Sequence, residues 1–376
     1  MRFYSDGPDI PDELLVARDN GNVLFFCGSG VSRAYAGLPG FLDLAKDVLK
    51  ILRVLPDSPA HELIKLAEQL QNKSIRGVSG ILATDRIFGL LEREFDVLDI
   101  ENAVGHALKT NGKENLEAHK ILLDLGKTQE GKIQIVTTNF DLLFEKASPK
   151  LHSISYSQIP DSRSHDLFDG IIHLHGMFDS TYTKSINGNL ILSSAEFGRA
   201  YLSEAWATEF IRAAIKKYFI VFVGYSADDP PVQYLLEALN RSPEIQPGRL
   251  FSFHSGDELE ASVLWKHKGV NAIAYSPINQ HKALWQTLKA WSERARNPDR
   301  WRNRLLRRAM QGPEGMKPHE RGQVMHLAAT KDGAHCLANS SNPIPASWIC
   351  VFDNKVRFVP IRKILMNYRC YCINIK

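Results

Sequence analysis

The sequence predicts an α/β protein with a Rossmann-like, mostly parallel sheet that carries helices on both faces. Six short runs are rich in apolar and β-branched residues, and most of them are continuous rather than alternating, which is typical of strands buried on both faces. Stretches with helical spacing lie between them, and this alternation favours parallel βαβ units. The expected strands cover residues 22–27, 133–137, 171–174, 219–223, 249–253 and 270–275.

Residues 41–125 contain no convincing strand and are expected to form a helical insertion between the first and second strands. Apolar residues at Leu42, Ala45, Val48 and Leu52 recur near helical spacing at its start. The insertion and the sheet together make a predicted domain over residues 1–295, in which the insertion can cover the sheet edge where such folds bind ligands.

The character of the sequence changes after residue 295. Arginines crowd positions 294–308, and residues 296–325 are expected to form a basic linker or helix. This basic stretch is typical of a solvated linker, although a phosphate-binding surface remains open. Residues 326–376 are interpreted as a small β-rich appendage or the start of a further domain, because 348–352 and 355–360 resemble a hairpin.

Composition excludes several classes of protein. The 376 residues include 44% hydrophobic and 23% charged residues with a net charge of +4, which excludes disordered, collagen-like and disulfide-rich miniprotein classes. No run approaches the length of a membrane span, and the acidic N-terminus is unlike a secretory signal. Five scattered cysteines are expected to be reduced thiols, which predicts a cytoplasmic protein without membrane partners.

The first strand ends in the motif GSGVS at residues 28–32. Gly28 and Gly30 let the backbone turn sharply and approach a phosphate group, while the amides at the start of the following helix face the anion. Arg33 stands where a full GxGxxG motif has its third glycine. The glycines therefore fit either a phosphate loop or an ordinary turn after a strand.

The second strand ends in TTNFD at residues 137–141, where polar side chains abruptly follow an apolar run. In a parallel sheet this is the ligand-binding edge. Asn139 and Asp141 fit that role, and either side chain also fits as the cap of the next helix.

The third and fourth expected strands also end in small and polar residues. In HLHG at 173–176 two histidines flank a leucine, and only one of them is expected to serve the site. His175 is the better candidate for a general base because Gly176 allows the strand to end at a cleft. The motif GYS at 224–226 places Ser226 where it can bind a ribose hydroxyl.

These four motifs, in this order, resemble the sirtuin superfamily over roughly residues 20–280. GSGVS resembles the family's GAG(I/V)S phosphate loop and TTNFD resembles its TQNID. HLHG is similar to its catalytic His-Gly, and GYS is similar to its GTS ribose-binding turn. The resemblance implies that NAD is bound across the carboxyl ends of the strands.

Two departures set the chain apart from protein-deacylating sirtuins. No cysteine lies between His175 and Gly224, so the CxxC…CxxC zinc ribbon is absent and no zinc or other metal site is expected. The family's GIPDFR loop is reduced to GLPGFL at 37–42. The GYSADDP ending at 224–230 resembles the bacterial sirtuin-like branch, which is similar to NAD-hydrolysing effectors of antiphage defence.

The resemblance implies that NAD is the substrate of an NAD glycohydrolase that depletes NAD in abortive infection. Asn139 would bind the ribose or orient water, His175 would be the base, and Asp141 would bind the nicotinamide carboxamide. The branch also implies a homo-oligomer and a sensor or ATPase partner, or a fused C-terminal domain. The residues assigned to NAD binding are Gly28, Ser29, Gly30, Ser32, Thr138, Asp141, Gly224 and Ser226.

Three other functions stay open at this stage. An NAD-dependent protein deacylase is disfavoured by the missing zinc ribbon, and a non-catalytic NAD or ADP-ribose sensor is disfavoured by the intact Asn139 and His175. A DNA-acting component of a defence complex is encouraged only by the arginines at 294–308.

Overall fold

A computed structural model describes residues 1–71, 84–159, 169–186, 188, 190–226, 229, 234, 236, 248–340 and 343–351. The chain divides into two compact units. The sheet unit is Ala17–Ala274, and the helical unit combines Met1–Val16 with Tyr275–Lys376.

Among the described residues, nine strands form two sheets. They are β1 Val23–Cys27, β2 Gln134–Thr137, β3 Ser153–Ser155, β4 Gly170–His173, β5 Met177–Phe178, β6 Ser185–Ile186, β7 Phe219–Val223, β8 Leu250–Ser255 and β9 Asn271–Tyr275. The main sheet has seven strands in the order β3-β4-β2-β1-β7-β8-β9, while β5 and β6 form a separate antiparallel pair.

The α/β fold predicted from the sequence is confirmed. β1 lies at the centre of the sheet between β2 and β7 and pairs with both in parallel, and every residue of β1 is buried. The chain places β2, β3 and β4 on one side of β1 and then crosses to β7 on the other. The carboxyl end of β1 is therefore the topological switch point, where open α/β sheets bind ligands.

Helices surround the sheet and make up the helical unit. They are α1 Asp12–Asp19, α2 Ser29–Ala36, α3 Phe41–Ile51, α4 Pro59–Gln71, α5 Asp85–Leu91, α6 Val97–Leu108, α7 Glu117–Gly126, α8 Leu143–Ala147, α9 Ser194–Gly198, α10 Trp206–Lys217, α11 Glu258–Trp265, α12 Ile278–Arg296, α13 Pro298–Ala309, α14 Pro318–Ala329 and α15 Lys331–Ala338.

Two apolar clusters hold the sheet unit together. One packs side chains of β1 and β7, including Phe26 and Phe222, against Ile211 and Ala214 of α10. The other joins α3, α4, α5 and α6 to Phe140, which follows β2. Helices α3, α4, α5 and α6 therefore pack on each other and against the loop that carries the polar motif after β2.

The helical unit differs from the β-rich appendage expected over residues 326–376. The described part of residues 326–376 forms the end of α14, α15 and a 3-10 helix at Ala346–Val351, where the first strand of a hairpin was expected. Trp348 is buried and its Nε1 donates to the carbonyl of Ala309 at 2.8 Å, so tertiary packing overrides the local β preference. Residues 352–376, including the second expected strand, lie outside the described residues.

Among the described residues, no helix combines the length and the apolar character that a membrane crossing requires.

Candidate functional site

A cleft opens at the carboxyl edge of the sheet, where the loops after β1, β2, β4 and β7 meet. Its lining is partly polar, and its apolar side chains come from the loop after β2, the loop before α3, α3 and α6. The lining residues are Ser29, Ser32, Leu38, Pro39, Phe41, Leu44, Leu108, Thr138, Asn139, Phe140, Asp141, His175, Tyr225 and Asp229.

The hydroxyl of Ser32, on α2, joins the polar side chains of the cleft. It donates to Asp141 Oδ2 at 2.8 Å and accepts from Asn139 Nδ2 at 3.1 Å. His119 Nε2, on α7, lies 3.3 Å from the same oxygen. Because all four side chains are buried, this network fixes their orientations at the edge of the cleft.

Asn139 is fixed by β1 as well as by Ser32. Its side-chain Nδ2 donates to the carbonyl of Gly28 at 3.2 Å, and its backbone amide donates to Thr137 Oγ1 at 3.1 Å. Thr137 in turn donates to the carbonyl of Cys27 at 3.0 Å. Both hydrogens of the side-chain amide are directed to Gly28 and Ser32. The Oδ1 of Asn139 accepts no hydrogen bond from the described residues, so it is the atom left for a ligand.

A second histidine, His173, holds the backbone of the turn at Asn139. His173 Nδ1 lies 2.9 Å from the carbonyl of Asn139, and its Nε2 lies 2.9 Å from Glu145 Oε1. Burial by itself lowers the pKa of His173, but the Glu145 carboxylate outweighs it and the pKa is raised. Burial likewise opposes ionisation of Glu145, yet attraction to His173 holds the pKa of Glu145 below its usual value.

His175 occupies a different environment from His173, because β4 ends at His173 and His175 lies in the turn that follows. Its Nε2 lies 2.7 Å from the hydroxyl of Tyr201, and its ring packs edge-on against Phe197. Burial lowers the pKa of His175 to about 3, so the imidazole is neutral at physiological pH. Tyr201 lies in a π-helical turn, Arg199–Ser203, a rare geometry that is frequent at functional sites.

Asp141 combines the two roles that its sequence position allowed. Its Oδ1 accepts from the amide of Leu143 at 3.1 Å, which caps the start of α8, while its Oδ2 accepts from Ser32. The carboxylate also lines the cleft. Helix capping and a ligand contact are therefore compatible for this residue.

The glycines of the first motif permit a close approach between two loops. A Cβ on Gly30 would lie 2.8 Å from the Cα of Gly224, and one on Gly28 would lie 2.8 Å from the carbonyl oxygen of Gly224. The amide of Gly30 donates to that carbonyl at 2.9 Å, and Gly224 has a φ of +77°. In this structure the Gly30 amide thus joins β1 to β7 instead of facing the cleft.

Tyr225 extends this connection to the loop after β2. Its hydroxyl lies 2.7 Å from Thr138 Oγ1 and donates to the carbonyl of Cys27 at 3.1 Å. Burial raises the pKa of Tyr225 well above its ordinary value, so the phenol stays protonated. Ser226 is exposed and donates through Oγ to Asp229 Oδ1 at 3.0 Å, and it is Asp229 that lines the cleft.

Of the residues assigned from the sequence, six line the cleft together, whereas Gly28, Gly30 and Gly224 form its backbone support and Ser226 lies outside the lining. Their roles stay predictions. Sequence reasoning missed four residues. His119, Tyr201 and Tyr225 contact assigned residues from α7, the π-helical turn and the loop after β7. Glu145, on α8, pairs with His173, which in turn lies against the carbonyl of Asn139. The six lining residues are Ser29, Ser32, Thr138, Asn139, Asp141 and His175.

The described residues contain no group of three or more His, Cys, Asp or Glu side chains arranged to hold a metal ion. The expectation that the chain binds no zinc stays a prediction.

Comparison with known proteins links the same part of the chain to a family. Residues 133–273 match the family model described as a SIR2-like domain. The match includes the motifs at 137–141, 173–176 and 224–226 and lies after the GSGVS loop. It supports a sirtuin-like superfamily relationship and an NAD-related function.

The chain is also similar to "Uncharacterized protein y4cA" of Sinorhizobium fredii (strain NBRC 101917 / NGR234). The two are 30% identical over 329 residues, which cover 83% of this chain and 26% of that protein. The chain therefore spans about a quarter of the length of this curated relative.

Proposed function

We propose that the chain is an NAD glycohydrolase, which hydrolyses the bond between nicotinamide and ribose to release nicotinamide and ADP-ribose. The observation that carries the proposal is the convergence of Asn139 and His175 on one cleft at the switch point of the sheet, inside the stretch similar to a SIR2-like domain. The cleft's mixture of polar and apolar walls suits a substrate that combines aromatic rings with ribose hydroxyls.

The reaction needs little acid catalysis because the nicotinamide ring of NAD is already a cation. When the C–N bond breaks, its electron pair leaves with neutral nicotinamide and positive charge develops on the ribose. The enzyme must hold the ribose and admit one water molecule. In our proposal, the Oδ1 of Asn139 accepts a hydrogen bond from the ribose or the attacking water, because its Nδ2 is committed to Gly28 and Ser32.

His175 is the proposed proton acceptor. If its Nε2–H donates to the Tyr201 hydroxyl, the Nδ1 lone pair is left as the base. An imidazole with a pKa of about 3 is a weak base. A weak base suffices here, because a water molecule becomes strongly acidic once its oxygen bonds to the cationic sugar. The proton passes from that oxygen to His175 and then to solvent, which balances the hydrolysis.

The Asp141 carboxylate is proposed to contribute negative charge near the developing cation and to bind the nicotinamide carboxamide. Its Oδ1 already accepts one amide hydrogen bond and its Oδ2 accepts the Ser32 hydroxyl, so the carboxylate is held in place before substrate binds. Such preorganised charge costs no rearrangement during the reaction.

We further propose that the activity serves antiphage defence through regulated NAD depletion, in a homo-oligomer or together with a sensor or ATPase. This part of the proposal rests on the resemblance of the GYSADDP ending to the bacterial sirtuin-like branch. An unregulated NAD hydrolase would harm its own cell, so the proposal includes a trigger.

Product analysis tests the proposal against protein deacylation. Purified chain is incubated with NAD alone and with NAD plus an acyl-lysine peptide, and nicotinamide, ADP-ribose and deacylated peptide are quantified. The proposal predicts equal nicotinamide release in both reactions and no deacylated peptide. Peptide-dependent release with acyl transfer would favour the deacylase, and tight NAD binding without any product would favour a sensing module.

A further inference from the structure

The helical unit contains a cavity of about 800 Å³ that is separate in its lining from the cleft of the sheet unit. Its walls come from the N-terminal segment at Phe3 and Tyr4, the last turns of α12, one face of α13, and the segment from Met316 into α14. Several elements line the cavity, which gives it the concave form common to small-molecule sites.

The lining of this cavity is strongly basic. Six arginines and two glutamates line it, a formal charge of +4 with histidine neutral. The positive charge is concentrated at the junction of α12 and α13. The six are Arg294, Arg296, Arg300, Arg304, Arg307 and Arg308.

Part of this charge is balanced within the protein, and part is not. Arg308 Nη2 lies 2.6 Å from Glu320 Oε1, and the Arg294 guanidinium lies over the Trp301 ring at 4.9 Å. Arg300, Arg304 and Arg307 are exposed and make no ion pair with any described carboxylate. Their spacing of four and three residues places them on one face of α13, where like charges repel each other.

The cavity wall also holds buried polar atoms without partners among the described residues. The Nε1 of Trp301 is buried and makes no hydrogen bond, and an indole N–H can act only as a donor. The Nδ1 of His319 is likewise buried without a partner. Both atoms are closed off from the cavity itself, so the arginines are the groups that a ligand rich in oxygen atoms would neutralise.

We infer that this cavity binds a small anion that carries two or more phosphate groups, of the class that includes nucleoside diphosphates and inorganic polyphosphates. Guanidinium groups match phosphate oxygens with two parallel hydrogen bonds, and several arginines on one wall match more than one phosphate. The inference concerns the helical unit and is independent of the function proposed for the sheet unit.

Calorimetric titration of the full chain with inorganic tripolyphosphate and, separately, with ADP tests this inference. The cavity variant is Arg300→Ala/Arg304→Ala. The matched control is Lys282→Ala/Lys331→Ala, which removes the same charge from exposed positions of the helical unit outside the cavity lining. We expect the cavity variant to bind at least about tenfold more weakly per arginine removed, and the control to bind like wild type.

Thermal unfolding without ligand shows whether the variant is folded. Because the substitutions relieve repulsion along α13, its Tm should equal or exceed that of wild type. Binding of tripolyphosphate comparable to ADP would identify phosphate as sufficient, and tighter binding of ADP would show that the nucleoside adds contacts; both support the inference.

Three results would overturn the inference. The first is that neither probe binds the wild-type chain. The second is that the cavity variant binds as tightly as the control, which would assign the probe to another site. The third is that only a single-stranded oligonucleotide binds, with steep salt dependence, which would make the arginines a nucleic-acid surface.

Discussion

Replacing Gly30 by alanine should disrupt the connection between the β1 loop and the β7 loop. The added Cβ would lie 2.8 Å from the Cα of Gly224 and 2.9 Å from its carbonyl oxygen, whereas ordinary contacts begin at 3.4 Å. Both neighbouring atoms belong to backbone, so no flexible side chain can yield. The loops would therefore separate by about 0.6 Å, the difference between the 2.8 Å and 3.4 Å distances.

This displacement lowers the free energy of unfolding of the sheet unit. Overpacking of a tight contact costs about 1–3 kcal/mol. Weakening the 2.9 Å hydrogen bond from the Gly30 amide to Gly224 adds about 1 kcal/mol, and the better helix propensity of alanine offsets a similar amount. A net loss of about 2 kcal/mol corresponds to a fall in Tm of about 4–8 °C for a unit of this size.

Calorimetry of the Gly30→Ala variant measures the change in Tm, with Gly198→Ala as the matched control. A Cβ on Gly198 meets no atom within 4 Å, and its φ of −58° and ψ of −41° are helical, so that control should be neutral or slightly stabilised. NAD affinity should also fall for Gly30→Ala, because the GSGVS segment holds the side chain of Asn139 through the carbonyl of Gly28 and the hydroxyl of Ser32. A Gly30→Ala protein with the Tm and NAD affinity of the control would refute this reasoning.

Three further predictions concern the histidines. Tyr201→Phe removes the hydroxyl 2.7 Å from His175 Nε2, so NAD cleavage should fall at least about tenfold while NAD binding, measured by calorimetry, is retained; unchanged turnover would contradict it. The pKa of His175 is lowered to about 3 in the folded chain, whereas an unfolded histidine has a pKa of about 6.5. As the pH falls below about 6.5, the unfolded chain therefore takes up a proton that the folded chain does not. Wild type should therefore lose about 2 kcal/mol more stability than His175→Gln between pH 7 and pH 5 in urea unfolding, and equal losses would argue against a buried neutral imidazole. The pKa of His173 is raised by Glu145, so the stabilisation from this pair is complete below about pH 6.5 and disappears as the pH rises through the folded pKa. Glu145→Gln should accordingly destabilise by about 1–3 kcal/mol at pH 6 and by clearly less at pH 9, and a loss independent of pH would exclude the charged pair.

The central strands could be predicted from the sequence because burial on both faces leaves a continuous apolar run. β1 and β7 each appear as such a run, and the predicted bounds agree with the structure to within a residue. β3 has only three residues, and β5 and β6 have two each, so none provides a recognisable pattern. The predicted strand at 348–352 fails over 348–351 because the buried Trp348 packs in a 3-10 helix.

The sequence could identify those candidate-site residues that come directly after a strand. Polar residues directly after a buried strand must lie at the sheet edge, which is why Asn139 and His175 could be selected. His119, Glu145 and Tyr201 come from helical segments between the strands, and no short motif relates them to the strand ends. The only available signal was His119 itself, a histidine within the apolar pattern of α7.

The most direct test of the central claim is nicotinamide release from NAD by the purified chain, measured beside NAD binding for wild type, Asn139→Ala and His175→Ala. Circular dichroism and thermal unfolding establish that each variant is folded. We expect release by wild type, loss of at least about a hundredfold in either variant, and NAD binding that persists in His175→Ala. Folded wild-type protein that neither binds nor cleaves NAD, or release that is unchanged in both variants, would contradict it.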